Sequence, residues 1–92
     1  MIKIQHQMIS YELDEKVVGF ITFPLIKDGV VNINQTFTHT SHRGKGIAKE
    51  LMDALYIHLK ENNLKAVLNC SYAVKYFERY EEKKDVLAWN QL

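Results

Sequence analysis

The chain has 92 residues, of which 47% are hydrophobic and 25% are charged, with twelve Lys and Arg against eleven Asp and Glu. This composition is too apolar for a disordered segment, and the length predicts a single domain over residues 1–92. A net charge of +1 argues against nucleic acid as a partner. A membrane span is not expected, because the sequence lacks a run of ~18 apolar residues. The single Cys70 cannot form an internal disulfide, so we expect a soluble, cytoplasmic protein.

Short strands joined by turns are predicted for the first half of the chain. Apolar and polar residues alternate over 8–13, and the segment 17–23 is rich in β-branched and aromatic residues. Asp14-Glu15-Lys16 supplies a polar turn between them, and Lys27-Asp28-Gly29 carries the Asp-Gly signal of a hairpin. Alternation resumes over 30–37 with one slip. We therefore predict an antiparallel meander of three strands.

The second half changes to a helical period. Between Gly46 and Lys60 the apolar residues recur at steps of three and four, which predicts an amphipathic helix of about four turns. Asn62-Asn63 ends this helix, and residues 64–68 form a short apolar strand. Because a strand, a helix and a returning strand form a βαβ crossover, we predict that the last two strands are parallel. The predicted fold class is α+β.

The C-terminal third is predicted to contain one more helix. Ser71 could cap it, and it would run through Tyr80. The charged run 81–85 is predicted to be a solvated loop, and residues 86–92 a short tail around Trp89.

The most informative segment is His42-Arg43-Gly44-Lys45-Gly46-Ile47-Ala48, which lies between a strand and the long helix. Its glycines let the backbone approach a ligand, and the first N–H groups of a helix lack internal partners. With the cations of Arg43 and Lys45 beside them, these amides predict an anion site. Both common nucleotide motifs fail, since Lys49 stands where a dinucleotide loop needs a third glycine and neither glycine begins a P-loop. An ordinary turn into a helix is the alternative interpretation.

The pattern Arg43-x-x-Gly46-x-Ala48 resembles the Q/R-x-x-G-x-G/A signature of the GCN5-related N-acetyltransferases (GNAT family). The sequence is similar over nearly its whole length to a short subfamily of roughly a hundred residues, because it also carries Cys70-Ser71-Tyr72-Ala73, a Cys-x-[FY]-[AV] segment. The resemblance implies a minimal GNAT-like fold, with antiparallel N-terminal strands, the long helix after the turn, a βαβ crossover and a C-terminal helix. It implies an acetyl-CoA-dependent N-acetyltransferase that acts on a primary amine of a small molecule, a peptide or a protein.

The same resemblance implies a coenzyme site. Strands around 35–38 and 68–70 should splay apart to admit the pantetheine arm, and the glycine-bearing turn should hold the pyrophosphate. No metal is expected, because His39 and His42 lack a third ligand nearby. The implied coenzyme-binding residues are Phe37, Thr38, Arg43, Gly44, Lys45, Gly46, Ile47, Ala48, Lys49 and Asn69.

Two departures from the family pattern affect the catalytic residues. Gln35-Thr36 stands where many short members have His-Thr, so the role of that histidine does not transfer. Phe77 aligns with the tyrosine that protonates the leaving thiolate in larger members, and phenylalanine cannot donate a proton. His39 and Glu78 are candidate general bases, although a solvated position is the plainer reading of Glu78.

Cys70 and Tyr76 are the predicted catalytic residues. Cys70 lies between a predicted strand and a helix N-terminus, and its thiol could protonate the departing coenzyme or accept the acetyl group. Tyr76 neighbours the vacant acid position but would point about 100° away around the helix; Tyr72 and Tyr80 share its candidacy. Two alternatives stay open: Cys70 as a small buried hydrophobe, and the whole domain as a non-catalytic acyl-CoA-binding sensor.

Overall fold

A computed structural model describes residues 1–89 and 91 of the chain. In this part there are two α-helices, α1 (Ile47–Glu61) and α2 (Ser71–Arg79), and two short 3-10 turns at Thr40–His42 and Glu81–Val86. Neither helix has the length and hydropathy needed to cross a membrane. The strands are β1 (Ile2–Gln5), β2 (Met8–Leu13), β3 (Lys16–Thr22), β4 (Leu25–Lys27), β5 (Val30–Ile33), β6 (Gln35–Thr38) and β7 (Lys65–Leu68).

The strands form two sheets. The first has the order β1-β2-β3-β6 with every pair antiparallel, and the second has the order β4-β5-β7. In the second sheet β5 is antiparallel to β4 and parallel to β7. The predicted α+β class and the antiparallel N-terminal strands are therefore confirmed. The parallel pairing predicted for the strand 30–37 with 64–68 is made by its first half, β5, whereas its second half, β6, lies in the first sheet. The predicted turns are present as well, with Asp14, Glu15 and Gly29 all at positive φ.

The predicted strand 30–37 is in fact two strands, so the three-stranded meander was wrong in this part. β5 ends at Ile33 in the second sheet, Asn34 interrupts the ladder, and β6 begins at Gln35 in the first sheet. Asn34 and Gln35 are consecutive and both exposed. These two residues produce the slip in the alternation of apolar and polar residues over 30–37. β1 and β4 were not predicted, because each is only three or four residues long and largely exposed.

Helix α1 packs one face into the core, as its period predicted. Leu51, Met52, Leu55 and Leu59 are all fully buried. Its first turn lies close to β3 at Gly19, where a Cβ atom would stand 3.0 Å from Ile47 Cγ2 and 3.1 Å from the Phe37 carbonyl oxygen. Both distances are tighter than ordinary van der Waals contact. Glycine at position 19 therefore allows the start of α1 to approach the sheet.

The C-terminal segment is more structured than predicted. Cys70, not Ser71, is the N-cap residue of α2, and no side chain caps the helix. The charged run 81–85 forms most of a 3-10 turn rather than a loop, because Val86 at its end is buried in the core. The Lys83 side chain is only 20% exposed.

The outer edge of β7 is covered by Ala88 and Gln91. Ala88 N–H donates to the Ala66 carbonyl oxygen at 2.9 Å. Gln91 Oε1 accepts from Leu68 N–H at 2.7 Å, and Gln91 Nε2 donates to the Ala66 carbonyl oxygen at 2.9 Å. Trp89, in the predicted tail, is half-exposed beneath the Lys27 ammonium. Residues 90 and 92 of that tail lie outside the described residues.

Candidate active site

The two sheets separate where β5 ends, and this leaves a fork between β6 and residues 68–70. Asn69 N–H donates to the Ile33 carbonyl oxygen at 2.9 Å. Beyond this point β7 continues into α2, while β6 pairs only with β3. β6 is therefore an edge strand whose second side faces the fork.

Thr36 and Thr38 carry the backbone groups of this edge that do not bond to β3. His39 N–H donates to the Val18 carbonyl oxygen at 2.7 Å, and the register then pairs Phe37 with Phe20. Since hydrogen-bonded pairs alternate along an antiparallel ladder, the backbone of Phe37 bonds to β3, and Thr36 and Thr38 point away from it. The Phe37 ring packs on Phe20, with centroids 5.3 Å apart. The register thus assigns the free edge to Thr36 and Thr38, and not to Phe37.

A cavity of about 400 Å³ joins this edge to the turn before α1. Thr36, His42 and Tyr72 contribute to its lining together with seven of the ten predicted coenzyme-binding residues. Those seven are Thr38, Arg43, Gly44, Gly46, Ile47, Ala48 and Lys49. Of the other three, Phe37 is on the opposite face of β6, Lys45 is exposed beside the cavity, and Asn69 lies at the fork.

The start of α1 presents unpaired backbone donors to this cavity. Gly44 and Gly46 have φ values of 80° and 79°, and a Cβ atom on either would meet nothing within 4 Å. Glu50 N–H donates to the Gly46 carbonyl oxygen at 3.0 Å, and no side chain caps the helix. The N–H groups of residues 47–49 precede that first helical bond, so they have no acceptor within the described part of the chain. This arrangement suits an anion.

Two cations stand beside these donors. Arg43 Nε donates to the Thr38 carbonyl oxygen at 3.3 Å, which links the turn to the free edge of β6. Lys49 Nζ lies 2.8 Å from Asp53 Oδ2. The hydrogen bond and the negative charge of Asp53 raise the pKa of Lys49, so this ammonium stays protonated near neutral pH.

Cys70 borders the cavity through Thr36. Its Sγ atom lies 3.1 Å from Thr36 Oγ1, and this contact crosses the fork on the side of the cavity. Cys70 is half-buried and packs against the core. A thiol and a hydroxyl therefore meet where the free edge of β6 begins.

Tyr76 lies in a different cluster, so the structure does not bring it together with Cys70. Its hydroxyl donates to Asp53 Oδ1 at 2.5 Å and accepts from Lys83 Nζ at 2.7 Å. Burial and the hydrogen bond to Asp53 raise the pKa of Tyr76 far above its ordinary value. Phe77, at the position where larger relatives are expected to carry the acid, is fully buried.

Among the remaining candidates, Tyr72 lines the cavity and Tyr80 does not; His42 is a further lining residue. Burial raises the pKa of Tyr72, so its phenol remains protonated. His39 Nδ1 is 2.8 Å from Ser41 Oγ, and Glu78 is exposed on α2. Within residues 1–89 and 91, no three His, Cys, Asp or Glu side chains lie close enough to hold a metal ion.

Sequence reasoning missed the edge residue Thr36 and the cluster around Asp53. Thr36 is recognisable only from the register of β3 and β6, which the sequence does not give. The spacing of Lys49 and Asp53 is the i, i+4 step of a helical ion pair, and it was the one available signal for that cluster.

Comparison with known proteins identifies the family. The sequence profile of the GCN5-related N-acetyl-transferase family matches residues 8–86, and a search of curated proteins gives no significant match. The solution structure of a GCN5-like N-acetyltransferase candidate from Staphylococcus aureus is 27% identical, with a TM-score of 0.71 over 95% of this chain and 86% of that one. A ribosomal-protein-alanine N-acetyltransferase from Brucella melitensis is 28% identical, with a TM-score of 0.61 over 92% of this chain and 64% of that one.

The fold is also found in a Bacillus anthracis structure named for streptothricin acetyltransferase and solved with acetyl coenzyme A. That structure is 22% identical, with a TM-score of 0.60 over 78% of this chain and 44% of that one. The chain belongs to the GCN5-related N-acetyl-transferase family. The predicted family, its minimal α+β fold and the acetyltransferase class are confirmed.

Proposed function

We propose that the protein transfers an acetyl group from acetyl-CoA to a primary amine. The observation that carries this proposal is the meeting of two features in one cavity. Thr36 and Thr38 offer a free strand edge to an extended amide-bearing arm, and the open N-terminus of α1 offers donors to phosphates. A ligand with an amide chain at one end and a pyrophosphate at the other fits this combination.

The coenzyme would lie along the cavity from the turn to the fork. Its pyrophosphate would accept hydrogen bonds from the N–H groups of residues 47–49, with the cations of Arg43 and Lys49 beside it. The amides of its pantetheine arm would pair with Thr36 and Thr38, as a neighbouring strand would. The thioester would then reach the fork beside Cys70.

The chemistry required at the fork is a single acyl transfer. The neutral amine nitrogen attacks the thioester carbonyl carbon, the C–N bond forms and the C–S bond breaks. The amine gives up one proton to solvent, and the departing sulfur gains one. The Thr36 N–H, which lies beside Cys70 at the end of the β6 edge, would stabilise the developing oxyanion, and the Thr36 carbonyl and the Thr38 N–H would pair with the pantetheine amides.

We assign the proton for the leaving sulfur to the Cys70 thiol, which the Thr36 hydroxyl holds at the fork, and the Cys70 thiolate then regains a proton from solvent. Tyr76, the other predicted catalytic residue, would act as a positioning residue instead. Its hydroxyl and the Lys83 ammonium hold Asp53, and Asp53 holds Lys49 at the cavity.

A sensor that binds acyl-CoA without turnover is the second candidate function. Phe77 favours it, because a fully buried phenyl ring stands at the family's usual acid position and no phenol replaces it there. Measuring acetyl-CoA binding and acetyl transfer on the same preparation separates the two functions, since a sensor binds and releases no coenzyme A.

A pair of glycine variants tests the site. Gly46 and Gly29 have φ values of 79° and 75°, and an added Cβ meets nothing within 4 Å at either. Alanine should therefore strain both backbones by a similar ~1–2 kcal/mol. Only Gly46→Ala places a methyl group in the cavity, so by calorimetry it should weaken acetyl-CoA binding by ~10-fold or more while Gly29→Ala changes it little. Equal affinities in the two variants would contradict the proposed site.

A further inference from the structure

A second, smaller cleft lies between the two helices and adjoins the cavity at the start of α1. Its volume is about 160 Å³. Lys49 and Tyr72 line both spaces, so the two meet at these side chains. The other lining residues belong to α2 or directly follow it, and they are Lys75, Tyr76, Arg79 and Tyr80. This space is termed the interhelix cleft.

Three cations and no carboxylate line the interhelix cleft. Lys75 and Arg79 are exposed, stand one helical turn apart on α2, and make no ion pair within the described part of the chain. Like charges at this i, i+4 spacing repel each other, so the pair does not stabilise the helix. Lys49 adds a third positive charge, which Asp53 balances. Glu78, on the same helix, does not line the cleft. The cleft therefore has an excess of positive charge.

The Tyr80 ring holds two of these cations close together. Lys49 Nζ lies 5.5 Å from the ring centroid, and the guanidinium carbon of Arg79 lies 5.7 Å from it. A cation close to an aromatic face is attracted by the charge distribution of the ring. The ring itself packs on the buried Tyr76, with centroids 4.9 Å apart. Tyr80 therefore orients Lys49 and Arg79 without the help of a ligand.

The covalent structure of coenzyme A brings a second phosphate to this cleft. The ribose that carries the pyrophosphate on its 5′ carbon carries a phosphate monoester on its 3′ carbon. Six bonds separate the two nearest phosphorus atoms, so the monoester stays close to the bound pyrophosphate. With the pyrophosphate at the N–H groups of residues 47–49, the shared Lys49 leads from that site into the interhelix cleft. This step rests on the proposed function.

We propose that the interhelix cleft binds the 3′-phosphate of the coenzyme, and that the protein thereby distinguishes coenzyme A from the form that lacks this phosphate. A phosphate monoester has a second pKa of ~6, so it carries nearly two negative charges at pH 7. The planar guanidinium of Arg79 would donate two parallel hydrogen bonds to its oxygens. The ammonium groups of Lys75 and Lys49 would each add a positive charge beside it.

Coenzyme A and dephospho-coenzyme A test the proposal, because they differ only in the 3′-phosphate. By calorimetry at low salt, the protein should bind coenzyme A about tenfold more tightly, as two or three partly exposed ion pairs allow. The difference should shrink as the salt concentration rises toward ~1 M, because exposed charges are then screened.

Two nucleotides of equal charge test whether the position of the phosphate is recognised. Adenosine 3′,5′-bisphosphate and adenosine 2′,5′-bisphosphate differ only in which ribose oxygen carries the second phosphate. Both lack the pantetheine arm, so they report on this end of the site alone. The 3′,5′ isomer should displace acetyl-CoA at a lower concentration than the 2′,5′ isomer.

Substitutions on α2 identify the groups responsible. Lys75→Gln and Arg79→Gln should each reduce the preference for coenzyme A to about threefold, with the affinity for dephospho-coenzyme A unchanged. Both side chains are exposed, so thermal unfolding should change little. Lys27→Gln, which removes an exposed cation from β4, is the matched control and should keep the tenfold preference.

Phosphorus NMR of bound coenzyme A gives a second readout. The cations of the interhelix cleft should favour the dianion of the 3′-phosphate, so the second pKa of this phosphate should lie below its value in free coenzyme A. In the double variant Lys75→Gln/Arg79→Gln, the pKa of the bound phosphate should return toward the free value.

The possible results separate the two proposals. Equal affinity for the two coenzyme forms, or a preference that neither variant reduces, would overturn the assignment of the cleft and leave the proposed function intact. Equal displacement by the two bisphosphates would also overturn it, because attraction by charge alone does not distinguish positional isomers. A protein that binds neither coenzyme form would overturn the proposed function itself.

Discussion

Replacing Gly19 with alanine should destabilise the protein, although the same change in an open strand is favourable. In a strand, replacing glycine with alanine normally raises the free energy of unfolding by ~0.5–1 kcal/mol, because alanine reduces the conformational entropy of the unfolded chain. Here the new methyl would lie 3.0 Å from Ile47 Cγ2 and 3.1 Å from the Phe37 carbonyl oxygen, where carbon atoms prefer ~3.5–4.0 Å. Overpacking of this kind costs ~1–3 kcal/mol. We expect a net loss of about 1–2 kcal/mol.

Urea unfolding of the wild type, Gly19→Ala, Ile47→Leu and the double variant measures this cost and identifies its origin. Ile47→Leu keeps the side-chain volume but removes the β-branched Cγ2 atom, and such a swap alone costs under ~1.5 kcal/mol. In the double variant Gly19→Ala/Ile47→Leu, the methyl at position 19 has more room. The double variant should therefore be about 1 kcal/mol more stable than the sum of the single effects predicts.

The sign of the first measurement can refute this reasoning. A Gly19→Ala protein as stable as the wild type, or more stable, would show that α1 does not rest as closely on β3 as described. Additive effects in the double variant would locate the strain at the Phe37 carbonyl oxygen instead. Gly19→Ala should also weaken acetyl-CoA binding, because it displaces the donors at the start of α1.

Three other substitutions address catalysis, charge and packing. Cys70→Ala should lower turnover by ~10²-fold with little change in acetyl-CoA affinity, and equal turnover by coenzyme A release would leave Cys70 a packing residue. Burial works to raise the pKa of Asp53, but hydrogen bonds from Lys49, Tyr76 and Lys83 outweigh it and hold this pKa below its ordinary 3.8. The resulting stabilisation is present above that pH and is lost as the pH falls through the folded-state pKa, so Asp53→Asn should lower stability at pH 7 and flatten its acid dependence below about pH 4 in thermal unfolding. Leu55→Ala, in the fully buried face of α1, should cost ~2–5 kcal/mol in urea, and a loss under 1 kcal/mol would contradict its burial.

The sequence predicted best those elements whose signals are local and repeated. The regular apolar spacing located α1 within one residue at each end. The division of the strand 30–37 could not be predicted, because it depends on one inserted residue, Asn34, and on which sheet each half joins. β1 escaped notice since three of its four residues are exposed and it is held mainly by backbone bonds to β2.

The candidate site divides in the same way. The turn from Arg43 to Lys49 is continuous in sequence, so its glycines and cations could be recognised directly. Thr36 became a candidate only through strand register. The hydrogen bonds that Tyr76 makes join residues from α1 and the final 3-10 turn, a convergence that no local pattern specifies.

The two edges of the second sheet are protected differently, and Gln91 covers the edge at β7. Its carboxamide offers a donor and an acceptor to the Ala66 carbonyl and the Leu68 amide, the two groups through which another chain would add a strand to β7. An incoming strand would have to displace both bonds before it could template on this edge. β4, at the other edge, exposes Leu25 and Ile26 by about half and pairs only with β5. Self-association by strand addition is therefore directed toward β4 and away from β7, where the Ala88 backbone and the Gln91 side chain occupy the edge.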